Sequence, residues 1–215
     1  RQVIRRIIGG IQKREGIFLL HGITGSGKTE VYMNAIQYAI QNNMSAIVLV
    51  PEISLTPQMV ERFRRRFGSR VAVLHSRLSI GERYDEWRKI RFGKVSVAIG
   101  ARSAIFAPFD NLGLIIIDEE HEQSYRSDTI PRYDACTIAK YRCINEKAVL
   151  VMGSATPSLN EYYHCLQGES VLLELPNRVY NRPLPHVQIV DMREELAKGN
   201  RSIFSTVLYN EMVKT

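Results

Sequence analysis

The run "GITGSGKT", Gly22 to Thr29, fits the spacing GxxxxGK[ST] and stands between an apolar run and a helical one. Glycines at 22, 25 and 27 let the backbone of Gly22, Ile23, Thr24, Gly25, Ser26 and Gly27 curl, so its N–H groups face phosphate oxygens. Lys28 then reaches the β- and γ-phosphates, and Thr29 offers a hydroxyl to Mg²⁺. Further along, "LGLIIIDEEH" ends an apolar run in acids. Asp118 emerges at the carboxyl end of that run, suited to holding Mg²⁺ through water, and Glu119 is placed to act as base toward an attacking water. Acids after a strand also suit a helix N-terminus. A third run, "GSATP", puts the hydroxyls of Ser154 and Thr156 on either side of Ala155 at another strand end. They either link the acidic box to a bound polymer or cap a helix with an early proline.

These groups need a frame. "IFLLH", "SAIVLV", "RVAVLH", "VSVAIG", "LGLIII" and "KAVLVMG" are apolar enough to be strands covered on both faces. Between them "KTEVYMNAIQYAIQN", "TPQMVERFRRRF", "IGERYDEWRKIRFG" and "YDACTIAKYRCI" have helical spacing. The alternation predicts an α/β fold: a mostly parallel sheet with helices on both faces and ligands outside the strand carboxyl ends. In "RFRRRF" the arginines form a solvated face, while Phe63 and Phe67 lie one turn apart for the core. After Gly168 three prolines mark "LLELPNRVYNRPLPHVQIVDMREELAKGNRS" as an extended connector. The first lobe is assigned to residues 1–175, and the connector with the start of a second lobe to 176–215. "RQVIRRIIGGI" reads as a helix under way and "IFSTVLYNEMVKT" as one cut short, so the chain is read as a piece of a longer protein.

The 215 residues carry a formal charge of +7, which suits an acidic polymer as partner. Cys136, Cys143 and Cys165 show no metal spacing, so no zinc site is expected in this segment. They read as reduced core thiols. No apolar run approaches the ~20 residues of a membrane span. For the polymer, Thr56 and Gln58 in "LTPQ", Ser76 and Arg77 in "HSRLS", and Arg102 and Ser103 in "GARSA" all follow strands and could hold backbone phosphates. After the acidic box, Tyr125, Arg126, Arg132 and Tyr133 could stack on bases and pair with phosphates, or form an ordinary solvent loop. A loop of the first kind would sense the bound polymer and reposition Glu119 or His121.

Together "GITGSGKTEVY", "LVPEISLTPQ", "LHSRLSIGERYDEW", "IGARSAIFAPF", "LGLIIIDEEHEQSYRSDTIPRYDA" and "MGSATPSL" resemble the first motor lobe of the PriA family. These are superfamily 2 replication-restart DNA helicases of bacteria, and the resemblance covers nearly the whole chain. It implies a RecA-like P-loop NTPase lobe that uses ATP and Mg²⁺. Lys28, Asp118, Glu119 and His121 would be catalytic and Thr29 with Asp118 would hold Mg²⁺, His121 also communicating between the ATP site and Ser154, Ala155 and Thr156. It also implies 3′ to 5′ unwinding of forked DNA in the cytoplasm, with other primosome proteins, single-strand binding protein and a replicative helicase as partners, and no membrane. The adenine-reading glutamine, the second-lobe arginine finger, the DNA-end-binding domain and the zinc module would lie outside these residues. One position departs: Cys136 stands where the resemblance implies arginine. Other readings are a duplex translocase, an RNA helicase, or a kinase or switch ATPase that binds no nucleic acid. His21, His75, His164 and His186 are expected to be structural.

Overall fold

The computed structural model describes residues 2–179 and 187–214; His186 and part of the expected connector lie outside them. The chain divides into two compact units, Arg1–Asn181 and Arg182–Thr215.

In the first unit seven strands form one sheet in the order β3-β4-β2-β5-β6-β1-β7, every neighbouring pair parallel. They are β1 (Ile17–Gly22), β2 (Ser45–Leu49), β3 (Val71–Leu74), β4 (Val97–Gly100), β5 (Leu112–Asp118), β6 (Val149–Ser154) and β7 (Val171–Leu175). The helices are α1 (Gln2–Lys13), α2 (Lys28–Gln41), α3 (Pro57–Phe67), α4 (Ile80–Arg91), α5 (Ala135–Glu146) and α6 (Leu159–Leu166). Side chains alternate across each strand, which divides the core in two. Leu114 and Ile116 of β5 join Ile36 of α2 and Phe63 and Phe67 of α3 on one face, while Ile115 and Ile117 join Ile90 of α4 and Ala139 of α5 on the other. Ile115, Ile116 and Ile117 have no exposed surface, so each contributes roughly 1.5–3 kcal/mol of burial and fixes where the strand ends.

The same alternation decides where the next residues go. Asp118 continues the parity of Leu114 and Ile116 and therefore emerges on the α2 face. Helix starts are set by side-chain caps: Thr56 for α3, Ser79 with Glu82 for α4, Asp134 for α5 and Ser158 for α6. At the opposite end of the sheet the Arg14 guanidinium donates to the carbonyls of Leu112, Glu146 and Lys147 and to Asn111 Oδ1. The expected connector is corrected at its start, because Val171–Leu175 pairs with β1 as an edge strand. In the second unit α7 (Met192–Ala197) and α8 (Thr206–Lys214) are joined through Glu195, which accepts from the Thr206 N–H and hydroxyl.

Candidate functional site

The turn from β1 into α2 has its glycines where the backbone requires them: Gly25 (φ 79°) and Gly27 (φ 92°) are left-handed. A Cβ on Gly22 would lie 2.6 Å from Ser26 Oγ. No side chain caps α2, so its first-turn N–H groups face outward as an anion site. Ser26 Oγ is buried without a partner, a cost of about 1–3 kcal/mol that a ligand oxygen would relieve. Lys28 is buried; its Nζ donates to the Gly22 carbonyl at 2.9 Å and lies 3.5 Å from Glu119 Oε1. These donors fit a triphosphate. Val179, beyond β7, donates its N–H to the Gly25 carbonyl at 3.0 Å and closes the turn from outside.

Asp118 is held from two sides. The Tyr32 hydroxyl of α2 donates to Oδ1 at 2.9 Å, and the Tyr125 hydroxyl donates to the backbone carbonyl at 2.5 Å. Tyr32 can reach only because residue 153 is glycine: a Cβ there would sit 1.7 Å from the Tyr32 hydroxyl. Burial raises the Asp118 pKa, the Tyr32 bond opposes that rise, nearby Glu119 adds to it and Lys28 opposes it. Thr29 precedes Tyr32 by three residues and so shares its helix face. The hydroxyl and carboxylate suit a hard divalent cation.

At Glu119 the backbone turns left-handed (φ 49°), a cost of roughly 1–2 kcal/mol for a residue with a Cβ. The turn presents the carboxylate between Lys28 and His121, whose Nδ1 is 3.8 Å from Oε2. His121 Nδ1 is also 2.7 Å from the buried Ser154 Oγ, and its Nε2 is 3.5 Å from Thr156 Oγ1. Ser154 Oγ accepts from the Thr156 N–H at 2.9 Å, with half-buried Ala155 between them. The serine and threonine of "GSATP" thus face the acidic box, and Ser158 caps the following helix.

The polymer candidates separate. Ser76, Arg102, Ser103, Arg126 and Tyr133 line one cleft of about 410 Å³, with Glu52 and Asp128 on its walls. Arg102 stacks over the Tyr133 ring at 5.6 Å and donates to the Arg126 carbonyl. Arg126 pairs with Asp134 at 3.3 Å, and the backbone bridge between them closes the loop. Thr56 and Arg77 line a different groove together with Glu52, Glu61, Glu82, Asp85 and Glu86. The Thr56 oxygen accepts from the Met59 N–H as a cap. Gln58 and Arg132 are exposed and line neither recess. Tyr125 is a correction: at 1% exposure it packs among Ile115, Ile117 and Ala135, so its ring cannot stack on a base. Cys136 is half-buried with its Sγ 4.0 Å from the Glu120 carbonyl, and burial pushes its thiol up to about 12.

Tyr32, Gly153, Glu120 and Val179 escaped the sequence reading. Tyr32 had a usable signal, since it follows Lys28 by four residues on one helix face. The contacts of Glu120 and Val179 depend on tertiary packing and left none.

The description of the DEAD/DEAH box helicase family matches residues 1–164. The chain is 57% identical over 199 residues, 93% of its length, to "Replication restart protein PriA" of Bacillus subtilis, and covers 25% of that protein. It is 54% identical to the protein of that name from Synechocystis, over 88% of the chain and 24% of the relative. The chain therefore spans about a quarter of the length of these curated relatives. Among solved structures, "Structure of RecG bound to three-way DNA junction" aligns with a TM-score of 0.58 and 24% identity, over 85% of this chain and 24% of that one; this likeness speaks for the fold.

Proposed function

Because the chain belongs to the DEAD/DEAH box helicase family, we propose that it is the ATP-binding motor lobe of a replication-restart DNA helicase. In this reading residues 1–175 bind and hydrolyse ATP, and 176–215 lead into a second lobe. The polar chain Lys28, Glu119, His121, Ser154 carries the proposal, because it joins the phosphate cradle to the "GSATP" loop through contacts of 3.5, 3.8 and 2.7 Å.

In the structure Lys28 is engaged by the Gly22 carbonyl and by Glu119. A γ-phosphate competes for the same ammonium, so ATP binding releases Glu119 to accept a proton from the attacking water. The N–H groups of the 22–28 turn hold the phosphates, and Ser26 gains a partner. Thr29 and Asp118 would hold Mg²⁺, which when bound neutralises charge on the phosphate oxygens. Tyr32 and Tyr125 keep Asp118 from turning away. His121 passes the displacement of Glu119 to Ser154 and Thr156.

The cleft of Ser76, Arg102, Ser103, Arg126 and Tyr133 suits a single strand, with cations for phosphates and an aromatic ring beside them. The intact protein would act on forked DNA with 3′ to 5′ polarity alongside other primosome proteins. Lys28→Ala in the full-length protein should lower ATP turnover at least ~10²-fold and abolish unwinding while forked-DNA binding persists. Unwinding that survives the substitution would remove this turn from the mechanism. ATP turnover indifferent to forked DNA would favour a switch ATPase.

A further inference from the structure

The third acid of the box, Glu120, contacts neither Lys28 nor the phosphate turn, yet it is only 6% exposed. Its N–H donates to the Gly153 carbonyl at 3.0 Å. Its carboxylate accepts the Ser158 N–H on Oε1 at 2.7 Å and the Ser158 hydroxyl on Oε2 at 3.1 Å. Ser158 in turn accepts the Glu161 N–H at 3.3 Å and starts α6. One residue thus grips both ends of the Ser154–Pro157 loop, the end of β6 and the first turn of α6.

Burying a carboxylate is expensive unless its oxygens are satisfied, and here both oxygens are spent on one serine. Alanine at 120 would leave the Ser158 N–H and hydroxyl without their acceptors and free the loop from the box on its α6 side. The backbone bond from residue 120 to Gly153 and the His121 contacts would still hold its β6 side. We propose that Glu120 is a positioning residue: it braces the Ser154–Pro157 loop on the acidic box, so that a shift of Glu119 and His121 moves the loop instead of slipping past it. The inference rests on the motor reading above and adds to it a second joint between the box and the loop.

The test uses full-length protein and measures ATP turnover against ATP concentration, with and without forked DNA. For Glu120→Ala the ratio of DNA-stimulated to basal turnover should fall about 10-fold, with the KM for ATP moving less than about 2-fold. Glu120→Gln keeps one acceptor oxygen and should recover much of the ratio. Ser158→Ala keeps the backbone bond and should lie between, and Glu120→Ala with Ser158→Ala should do no more harm than Glu120→Ala alone. A Glu120→Ala protein stimulated as strongly as wild type would overturn the role of Glu120. So would parallel losses in KM, basal turnover and stimulation that Glu120→Gln fails to rescue, the signature of a merely structural carboxylate. A wild-type protein with no DNA stimulation would instead overturn the motor reading itself.

Discussion

Two tyrosines meet at Asp118, and neither role there follows from its neighbours in sequence. Tyr125 stands among arginines and acids, which invites a stacking role, but its ring is buried and its hydroxyl ends on the Asp118 carbonyl. Tyr32, in α2, is buried in the core, and its hydroxyl also orients the Asp118 carboxylate. Composition around a residue reports which surface is near, and only packing decides which way the ring turns. Tyr125 therefore connects loop and box as a post under the loop, with Arg126 left as the exposed member. Tyr125→Ala should cost about 3–5 kcal/mol of local stability, as large-to-small core changes do. Tyr125→Phe, which loses only the hydroxyl, should cost about 1 kcal/mol. Hydrogen exchange of the β5 amides in the full-length protein measures both. A Tyr125→Ala protein with unaltered exchange and weakened DNA binding would restore the stacking role.

At the level of elements, the six apolar strands and the helices between them were legible because a sheet covered on both faces leaves nearly continuous apolar runs. β7 was not, since an edge strand next to prolines has one flank unpaired and "VLLEL" is only partly buried. α7 was hidden by its brevity, and α6 was offered only as an alternative, the helix with an early proline after "GSATP". The chemistry at strand ends was readable through fixed spacings, whereas braces such as Glu120 to Ser158 join residues 38 positions apart. In the second unit the joint between α7 and α8 was equally hidden. Glu195 accepts from the Thr206 N–H and hydroxyl and from Asn200, and these bonds lower its pKa to about 2. A carboxylate depressed in this way stabilises the fold above its unfolded value of about 4.3, and the contribution disappears as pH falls through the folded value. Helicity of α8 should therefore hold from pH 7 to 5 and decline between about 4.3 and 2. Glu195→Gln should flatten that acid transition, with amide exchange at Leu208 and Tyr209 as the readout.

For the whole molecule the question is how a chain of +7 charge distributes it toward a polyanion. Sequence order alone treats Thr56, Arg77 and Arg102 alike, because each follows a strand on the ligand-bearing edge of the sheet, and sets Arg126 apart in the loop after the acidic box. The folded surface separates them. The groove holding Thr56 and Arg77 is lined by five carboxylates against the cations Arg64, Arg77 and Lys89. In the neighbouring cleft Arg102 and Arg126 face Glu52 and Asp128, with Tyr133 alongside, and the Glu52 carboxylate already accepts from the Ser76 hydroxyl. In the proposed reading a phosphate track would follow the cleft, since the groove would force like charges together. Arg102→Ala in the full-length protein should weaken binding to a single-stranded arm and reduce the slope of log affinity against log salt by about 1. Arg77→Ala should change that slope by much less. Tyr133→Ala should lower affinity by roughly 1–3 kcal/mol with little effect on the slope, because stacking releases no counterions. Fluorescence anisotropy across a salt series separates the three, and a larger slope change for Arg77 than for Arg102 would move the track into the acid-lined groove. The cleft also contains Arg126, whose loop stands on Tyr125 and through it on Asp118, so in the proposed reading a strand seated there would bear directly on the end of β5.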